Sequence, residues 1–291
     1  MKFKNTKLLI GILLITALSL NIFGCSIKEI NITKEKLPLG ELKVTYIDVG
    51  QADSILVECE DKNLLIDSGT NETGDNVIKY LKGEGITKID YVIATHPHED
   101  HIGGMANVIK GFDIGKFYSP KASSNTKTFE RMITELNNKG LKINVLKAGK
   151  DPEINIPGAK IEIFSPGKDE YENLNNYSPI MKLTYGETTF LFTGDAEKEI
   201  EKEVLENNFD IKADVLKVGH HGSSTSTSIE FLKKVSPEYA IISVGKDNKY
   251  KHPNDSTIKN LNKNNVKVLR TDILGNITLK SDGNVIELEE K

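Results

Sequence analysis

Between Tyr91 and Gly104 the chain reads YVIATHPHEDHIGG. The six residues from His96 to His101 hold three of the chain's six histidines together with two acids. Imidazole nitrogen and carboxylate oxygen are together a donor set that suits zinc or a similar divalent ion. His96 and His98 are two apart, so on an extended segment both rings project to the same side. Asp100 and His101 come after Glu99, where a helical pattern begins, and Gly103 and Gly104 lack side chains, so the helix start can press close to the sheet beneath it. A histidine run on a solvated surface is the competing reading. It suits a lone histidine far better than five donor-bearing residues out of six beside an apolar strand.

The other candidates also stand at the ends of strand-like runs. Asp195 ends TFLFTG, and His220 and His221 end ADVLKVG, just before GSSTSTS. Donors on loops at strand ends are where a rigid sheet can bring them to one cleft. Asp195 could equally serve as the N-cap of the helix that follows it. Ser223 to Ser228 is an unbroken run of hydroxyl residues. It reads either as a solvated loop with a helix cap or as donors, Ser223 and Ser224 first, for an anionic substrate.

Three strand-like runs, LKVTYIDV, DSILVECE and NLLIDSG, open the rhythmic part of the chain at Leu42. A helix around 74–82 leads to the strand IDYVIAT, and Ile102, Met105, Ala106 and Ile109 mark one face of the next helix. A helix over 126–138 precedes the strands KINVLKAG and AKIEIFSP. Next come a hairpin across Tyr185-Gly186, a helix over 196–207 and the strand ADVLKVGH. A helix near Ile229, the strand EYAIISVG, a helix over 256–262 and the strand VKVLR follow. A last hairpin, GNITLKS and NVIELEE, has Asp282-Gly283 suited to a tight primed turn. Hairpins beside crossovers argue for mixed sheets covered by helices, not for a purely parallel doubly wound sheet. The ordering suggests two similar halves, 41–165 and 178–291. Cys59 alternates with Val57 and Ile55, which predicts a buried apolar role.

With 291 residues, 38% hydrophobic and 27% charged, the chain has ordinary globular composition and enough length for a sizeable core. Its first 24 residues carry Lys2, Lys4 and Lys7 and no acid, so beyond them 35 basic residues face 42 acidic ones. Such a domain has no electrostatic footprint for extended nucleic-acid binding, although a metal-bearing pocket can be locally positive. Residues 1–24 read as a targeting segment: a basic start, an apolar run of about 16 residues, short of the roughly 20 of a membrane span, then Gly24-Cys25. Ile22-Phe23-Gly24-Cys25 resembles a bacterial lipobox, which implies lipidation at Cys25 and a membrane anchor there. Phe23 departs from the small residue that motif favours, and an uncleaved anchor helix is the alternative. Either way the domain is expected outside the cytoplasm, as a surface lipoprotein with residues 25–40 as its tether and 41–291 as the domain.

HPHEDHIGG resembles the HxHxDH signature of metallo-β-lactamase-fold hydrolases. DVGQADS (48–54), LLIDSG (64–69), FLFTGD (190–195) and LKVGHHGSSTS (216–226) are similar to the C-terminal domain of the competence protein ComEC and to secreted phosphorylcholine esterases. The resemblance implies an α+β, αββα four-layer sandwich with a cleft for two divalent ions, zinc or else manganese, at one edge of the two sheets. It implies His96 and His98 on the first ion, Asp100, His101 and His221 on the second, and Asp195 shared. Asp100 would also take part in catalysis, and His220 would face the substrate. Asp67 would orient a ligand histidine. Asp48 and Asp53 would flank a loop at the base of the site, or else act as turn acids, and His252 would line the cleft or be a plain loop residue. Many family members have a further histidine between the two motifs, and here none lies between His101 and His220. A weaker first position is therefore expected, with Asn175, Asn176 and Ser178 in that region instead.

Water activated between two ions is suited to phosphodiesters, whose charge grows in the transition state. The resemblance implies a phosphodiesterase or nuclease with DNA favoured as substrate and no obligate protein partner. A cell-surface phosphorylcholine or teichoic-acid phosphodiesterase is the alternative of the same chemistry. A non-catalytic DNA- or wall-binding lipoprotein is the alternative of another class. β-Lactam hydrolysis fits less well, given the missing histidine and the HHGS motif.

Overall fold

The computed structural model describes residues 40–290. The targeting segment, Cys25 and all of the expected tether but Gly40 lie outside the described residues. Among these residues no helix is long and apolar enough to cross a membrane.

The strands are β1 Leu42–Tyr46, β2 Ile55–Cys59, β3 Lys62–Ile66, β4 Lys88–Ile93, β5 Asp113–Ser119, β6 Ile143–Val145 and β7 Ala159–Ile163, then β8 Met181–Tyr185, β9 Thr188–Phe192, β10 Val215–Lys217, β11 Tyr239–Ile242, β12 Lys267–Arg270, β13 Ile277–Ser281 and β14 Ile286–Leu288. The helices are α1 Gly74–Gly83, α2 Glu99–Ile102, α3 Met105–Gly111, α4 Lys127–Asn138, α5 Lys198–Glu206, α6 Ile229–Val235, α7 Asp255–Lys263 and α8 Thr271–Leu274. Among the described residues the strands form an eight-stranded sheet, ordered β14-β13-β1-β2-β3-β4-β5-β6, and a six-stranded sheet, ordered β12-β11-β10-β9-β8-β7. Both are mixed: β1 to β3 pair antiparallel and β3 to β6 parallel, while β7 to β9 pair antiparallel and β9 to β12 parallel.

Alternation along each strand builds three apolar layers. Ile55, Val57 and Cys59 of β2 join Phe190 and Phe192 of β9 and Ile241 of β11 between the sheets. Leu56 and Leu65 face the other way and pack with Val77 and Leu81 of α1, Met105 and Val108 of α3, and Met132 and Leu136 of α4. On the second sheet Leu191 and Leu216 pack with Ile200 of α5, Phe231 of α6 and Leu261 of α7. A period of two on strands sandwiched between helices produces this αββα order. Cys59 is buried between the sheets as expected.

Four features differ from the sequence reading. Strand β5 was not anticipated, because Gly115 interrupts its apolar pattern. A Cβ there would stand 2.4 Å from the Asp90 carbonyl, so only glycine lets β5 lie against β4. The halves exchange material: β7, expected with the first half, belongs to the second sheet, and β13 and β14 return to the first. The helix expected through 102–109 breaks at Gly103-Gly104 into α2 and α3. The last hairpin pairs Ser281 with Ile286, leaving a four-residue loop, and Asp282 Oδ1 accepts hydrogen bonds from Asn284 N and Val285 N. That Asx turn displaces the expected primed turn.

Candidate metal centre

Strand β4 delivers the first donors, and the loop after β3 clamps them. Asp67 adopts φ of 59°, in the left-handed region, and its backbone N–H donates to Ile93 O. Its carboxylate accepts Thr95 N at 2.8 Å and Thr95 Oγ1 at 2.7 Å, and its Oδ2 lies 2.8 Å from His101 Nδ1. One carboxylate thus ties the strand end to the helix start and leaves His101 Nε2 as the free nitrogen. Gly103 and Gly104 permit the approach. A Cβ would stand 2.2 Å from Asn71 N at the first and 2.4 Å from Ser68 O at the second. The close approach is to the segment after β3 and not to the sheet itself.

The second sheet supplies the rest. Asp195 follows β9 after Gly194, and its N–H donates to Ser178 Oγ at 3.1 Å. His220 and His221 follow β10 in consecutive left-handed conformations, φ 49° and 53°. Such conformations cost on the order of 1–3 kcal/mol each and turn both rings towards Asp195. His221 Nδ1 lies 2.9 Å from Ser243 O, so its Nε2 also faces the cleft.

Around Asp195 Oδ2 stand His101 Nε2 at 3.2 Å, His220 Nε2 at 3.6 Å, His221 Nε2 at 3.7 Å and His96 Nε2 at 4.0 Å. Asp100 Oδ2 is 3.4 Å from His221 Nε2. Asp100, His101, Asp195 and His221 each offer one ligand atom, all within 4.8 Å of one another. His96 Nε2 and His98 Nδ1 lie 3.0 Å apart beside them. His101 Nε2, His221 Nε2 and Asp195 Oδ1 are buried without a hydrogen-bond partner. Orphaned polar atoms of this kind need a compensating partner. Two lone-pair nitrogens converging with two carboxylates fit a divalent cation.

Electrostatics agree. Burial resists charge on His221, but Asp195 and Asp53 overcome it and push its pKa up to about 10. Burial likewise opposes charge on His101, and Asp195, Asp67 and Asp100 hold its pKa well above the usual imidazole value. Asp100, despite burial, is brought down to about 2 by His101 and His221. Burial and the neighbouring His101 keep His96 well below the usual value, hence neutral. Asp100 and Asp195, both held below the usual carboxylate range, are charged and attract a cation.

Of the other sequence candidates, Asp53 lies behind the site. Its Oδ2 is 2.8 Å from Lys217 Nζ, its Oδ1 3.4 Å from His221 Nδ1, and its N–H donates to Asp100 O. His252 lines the cleft with His220. Asp48 does not reach it: the residue is exposed and its Oδ1 accepts from Gly50 N, so it acts as a turn acid. Ser223 and Ser224 do not line it either. Ser223 is buried against Thr225 and Ser224 is exposed elsewhere. Of the hydroxyls in that run, Thr225 is the one that meets His220, 3.3 Å from its Nδ1 and 3.0 Å from Glu197 Oε1.

The sequence reading also passed over Lys217, which is fully buried. Its signal was visible: a lone lysine inside the apolar run ADVLKVG that ends at the two histidines. The cleft has a volume of about 500 Å³, and Gln51, Thr70, Glu99, Asn175, Lys249 and Tyr250 also line it.

Comparison with known proteins agrees with this geometry. The family model described as "Metallo-beta-lactamase superfamily" matches residues 47–246. The chain belongs to the metallo-beta-lactamase superfamily. This superfamily membership makes it one of the metal-dependent hydrolases. Within the superfamily, the chain is 34% identical to ComE operon protein 3 of Bacillus subtilis over 81% of this chain and 33% of that protein. It is 28% identical to Recombination protein 2 of Haemophilus influenzae over 85% of this chain and 30% of that one. It therefore spans about a third of the length of these curated relatives. The metallo-beta-lactamase fold protein YhfI from Bacillus subtilis superposes with a TM-score of 0.57 over 83% of this chain and all of that one, at 15% identity. That likeness concerns the fold.

Proposed function

We propose that this metal-dependent hydrolase is a phosphodiesterase that cleaves DNA, with two divalent ions, zinc or manganese, held around Asp195. The observation that carries the reading is the convergence on Asp195 Oδ2 of nitrogens from both sheets, His101, His220, His221 and His96, within 4.0 Å. Asp100, His101 and His221 would hold one ion with Asp195, and His96 and His98 the other. Bound there, the ions would acidify water and offset charge on the phosphoryl oxygens.

The chain's own residues do the remaining work. Asp67 and the Ser243 carbonyl hold the tautomers of His101 and His221, so that Nε2 faces inward. Glu197 Oε1, 3.5 Å away, and Thr225 hold His220 from its Nδ1 side. His220 Nε2 then points into the cleft, where it would deliver a proton to the leaving oxygen. Recombination protein 2 is a relative whose name belongs to nucleic-acid metabolism, which favours DNA over wall polymers.

The setting we infer is the outer face of the membrane, with anchoring through a lipid on Cys25. Incorporation of labelled fatty acid, lost in Cys25→Ala, tests it. Cation-dependent hydrolysis of bis(p-nitrophenyl) phosphate, followed by comparison of single-stranded DNA, duplex DNA and choline-phosphate polymers, tests the activity. No cation-dependent cleavage of any phosphodiester would overturn the enzyme reading, and a preference for the choline polymer would overturn DNA.

A further inference from the structure

The loop from Gly245 to Pro253 walls one side of the cleft with the sequence GKDNKYKHP. It is a firmly built wall. Asn248 Nδ2 donates to Gly245 O at 2.9 Å and to His252 O at 2.6 Å, and Asn248 Oδ1 accepts from His252 N at 3.0 Å. Gly245 N donates to Gln51 Oε1, and Asn254 N donates to Gly222 O. A Cβ on Gly222 would stand 2.6 Å from Pro253 Cβ. The loop is thus pinned at both ends to segments that carry the site.

Nothing in that bracing needs an aromatic ring at the tip, yet Tyr250 stands there with 56% of its surface in water, lining the cleft. Its ring is the outer member of a row. Tyr250 lies 5.8 Å from His252 with the planes 21° apart, and His252 lies 5.8 Å from His220, whose Nε2 approaches Asp195. Lys249, on an exposed stem, places Nζ 5.0 Å from the Tyr250 centroid. An exposed ring with a lysine ammonium over it, at the mouth of a cleft for a phosphodiester, is the pairing that takes a base and its neighbouring phosphate once the exposed lysine stem swings to that phosphate.

We propose that Tyr250 is the platform on which a base of a single strand stacks, with Lys249 on the adjoining phosphate, so that the cleft selects nucleic acid whose bases are unpaired. This rests on the phosphodiesterase reading of the same cleft. A duplex hides its base faces against their neighbours, so a stacking platform rewards only the open strand. A quaternary ammonium is the other group an exposed tyrosine could take, and it would be repelled by the ammonium of Lys249 over that ring.

The test uses the metal-loaded chain and a phosphorothioate-linked single strand carrying 2-aminopurine, whose emission falls when its base stacks. Emission should be quenched by the native protein and by Tyr250→Trp, and not by Tyr250→Ala. On cleavable single strands Tyr250→Ala should lower kcat/KM about tenfold. The loss should vanish on a strand made abasic beside the scissile phosphate, because the substitution and the missing base then remove one and the same contact. Equal quenching by Tyr250→Ala, or an equal loss on abasic strands, would overturn the platform. A native protein that quenches the probe while cleaving only choline phosphodiesters would overturn the DNA reading and leave the platform standing. One that neither quenches nor cleaves would overturn both.

Discussion

The two donor clusters on either side of Asp195 are held in different ways. His101 and His221 each give Nδ1 to a strong acceptor, the Asp67 carboxylate at 2.8 Å and the Ser243 carbonyl at 2.9 Å. His96 Nδ1 meets only hydroxyls, Thr95 at 3.1 Å and Ser178 at 3.3 Å, which can donate as readily as accept. His101 and His221 have Asp100 and Asp195 as oxygen partners, whereas Asp195 approaches His96 only to 4.0 Å. A locked tautomer and two carboxylates make a tight cation position. A hydroxyl-held pair of imidazoles makes a loose one. The two positions, which already differ by one carboxylate, are thus unequal in the support of their rings as well.

Removing a ligand from the tight cluster should have the largest effect. His221→Ala is expected to bring bis(p-nitrophenyl) phosphate hydrolysis to background with either cation, and Asp100→Ala likewise. An unchanged rate in either variant would break the comparison at its root. Next comes the buried pair behind the tight cluster. Lys217→Met leaves the Asp53 charge without its cation inside the fold, which should cost about 3–5 kcal/mol in urea unfolding. A loss near zero would mean that Asp53 finds another partner.

Asp67→Asn should weaken the tight cation by roughly 10–100-fold in competition with a chelator. Ser178→Ala removes a contact to His96 Nδ1 and an acceptor for Asp195 N, and should shift the loose cation more than the tight one, by less than Asp67→Asn shifts the tight one. If the two shifts come out alike, the difference in ring support has no energetic meaning. Unperturbed protein titrated with chelator should release its cations in two separated steps, the His96–His98 position first. Simultaneous loss would contradict the unequal clusters.

The smallest effect is a proton count. Without a cation, His221 is protonated at neutral pH, because its pKa is pushed up to about 10, and the carboxylates of Asp195, Asp67 and Asp100 favour the charged form of His101 as well. Filling the tight position must therefore expel protons, and its affinity should rise with pH until about 10. Calorimetry in buffers of differing ionisation enthalpy should show this release for the tight step and little for the loose one, where burial keeps His96 neutral.

Legibility followed the range of the interactions. The period-two runs from Leu42 and the helix over 126–138 were readable because alternation and capping are local: Thr126 Oγ1 accepts from Phe129 N as an N-cap should. Strand β5 was not readable, since its glycine matters only against Asp90 of a neighbouring strand. The cluster at 96–101 was readable from spacing. Asp48, Ser223 and Ser224 stood in the right motifs, and yet hydrogen bonds to Gly50 and Thr225 or simple exposure turn them away from the cleft.

By itself, the sequence determined the donor types, the strand ends that carry them and the mixed, helix-covered sheets they belong to. These are consequences of residue chemistry and backbone period, and they act within a few positions along the chain. Only the tertiary structure decided that β7 joins the second sheet, that Lys217 stands behind Asp53, that Thr225 rather than Ser223 meets His220, and that Tyr250 stands at the mouth of the cleft. Those outcomes depend on which faces meet across the core, and a contact between distant segments leaves no period in either one.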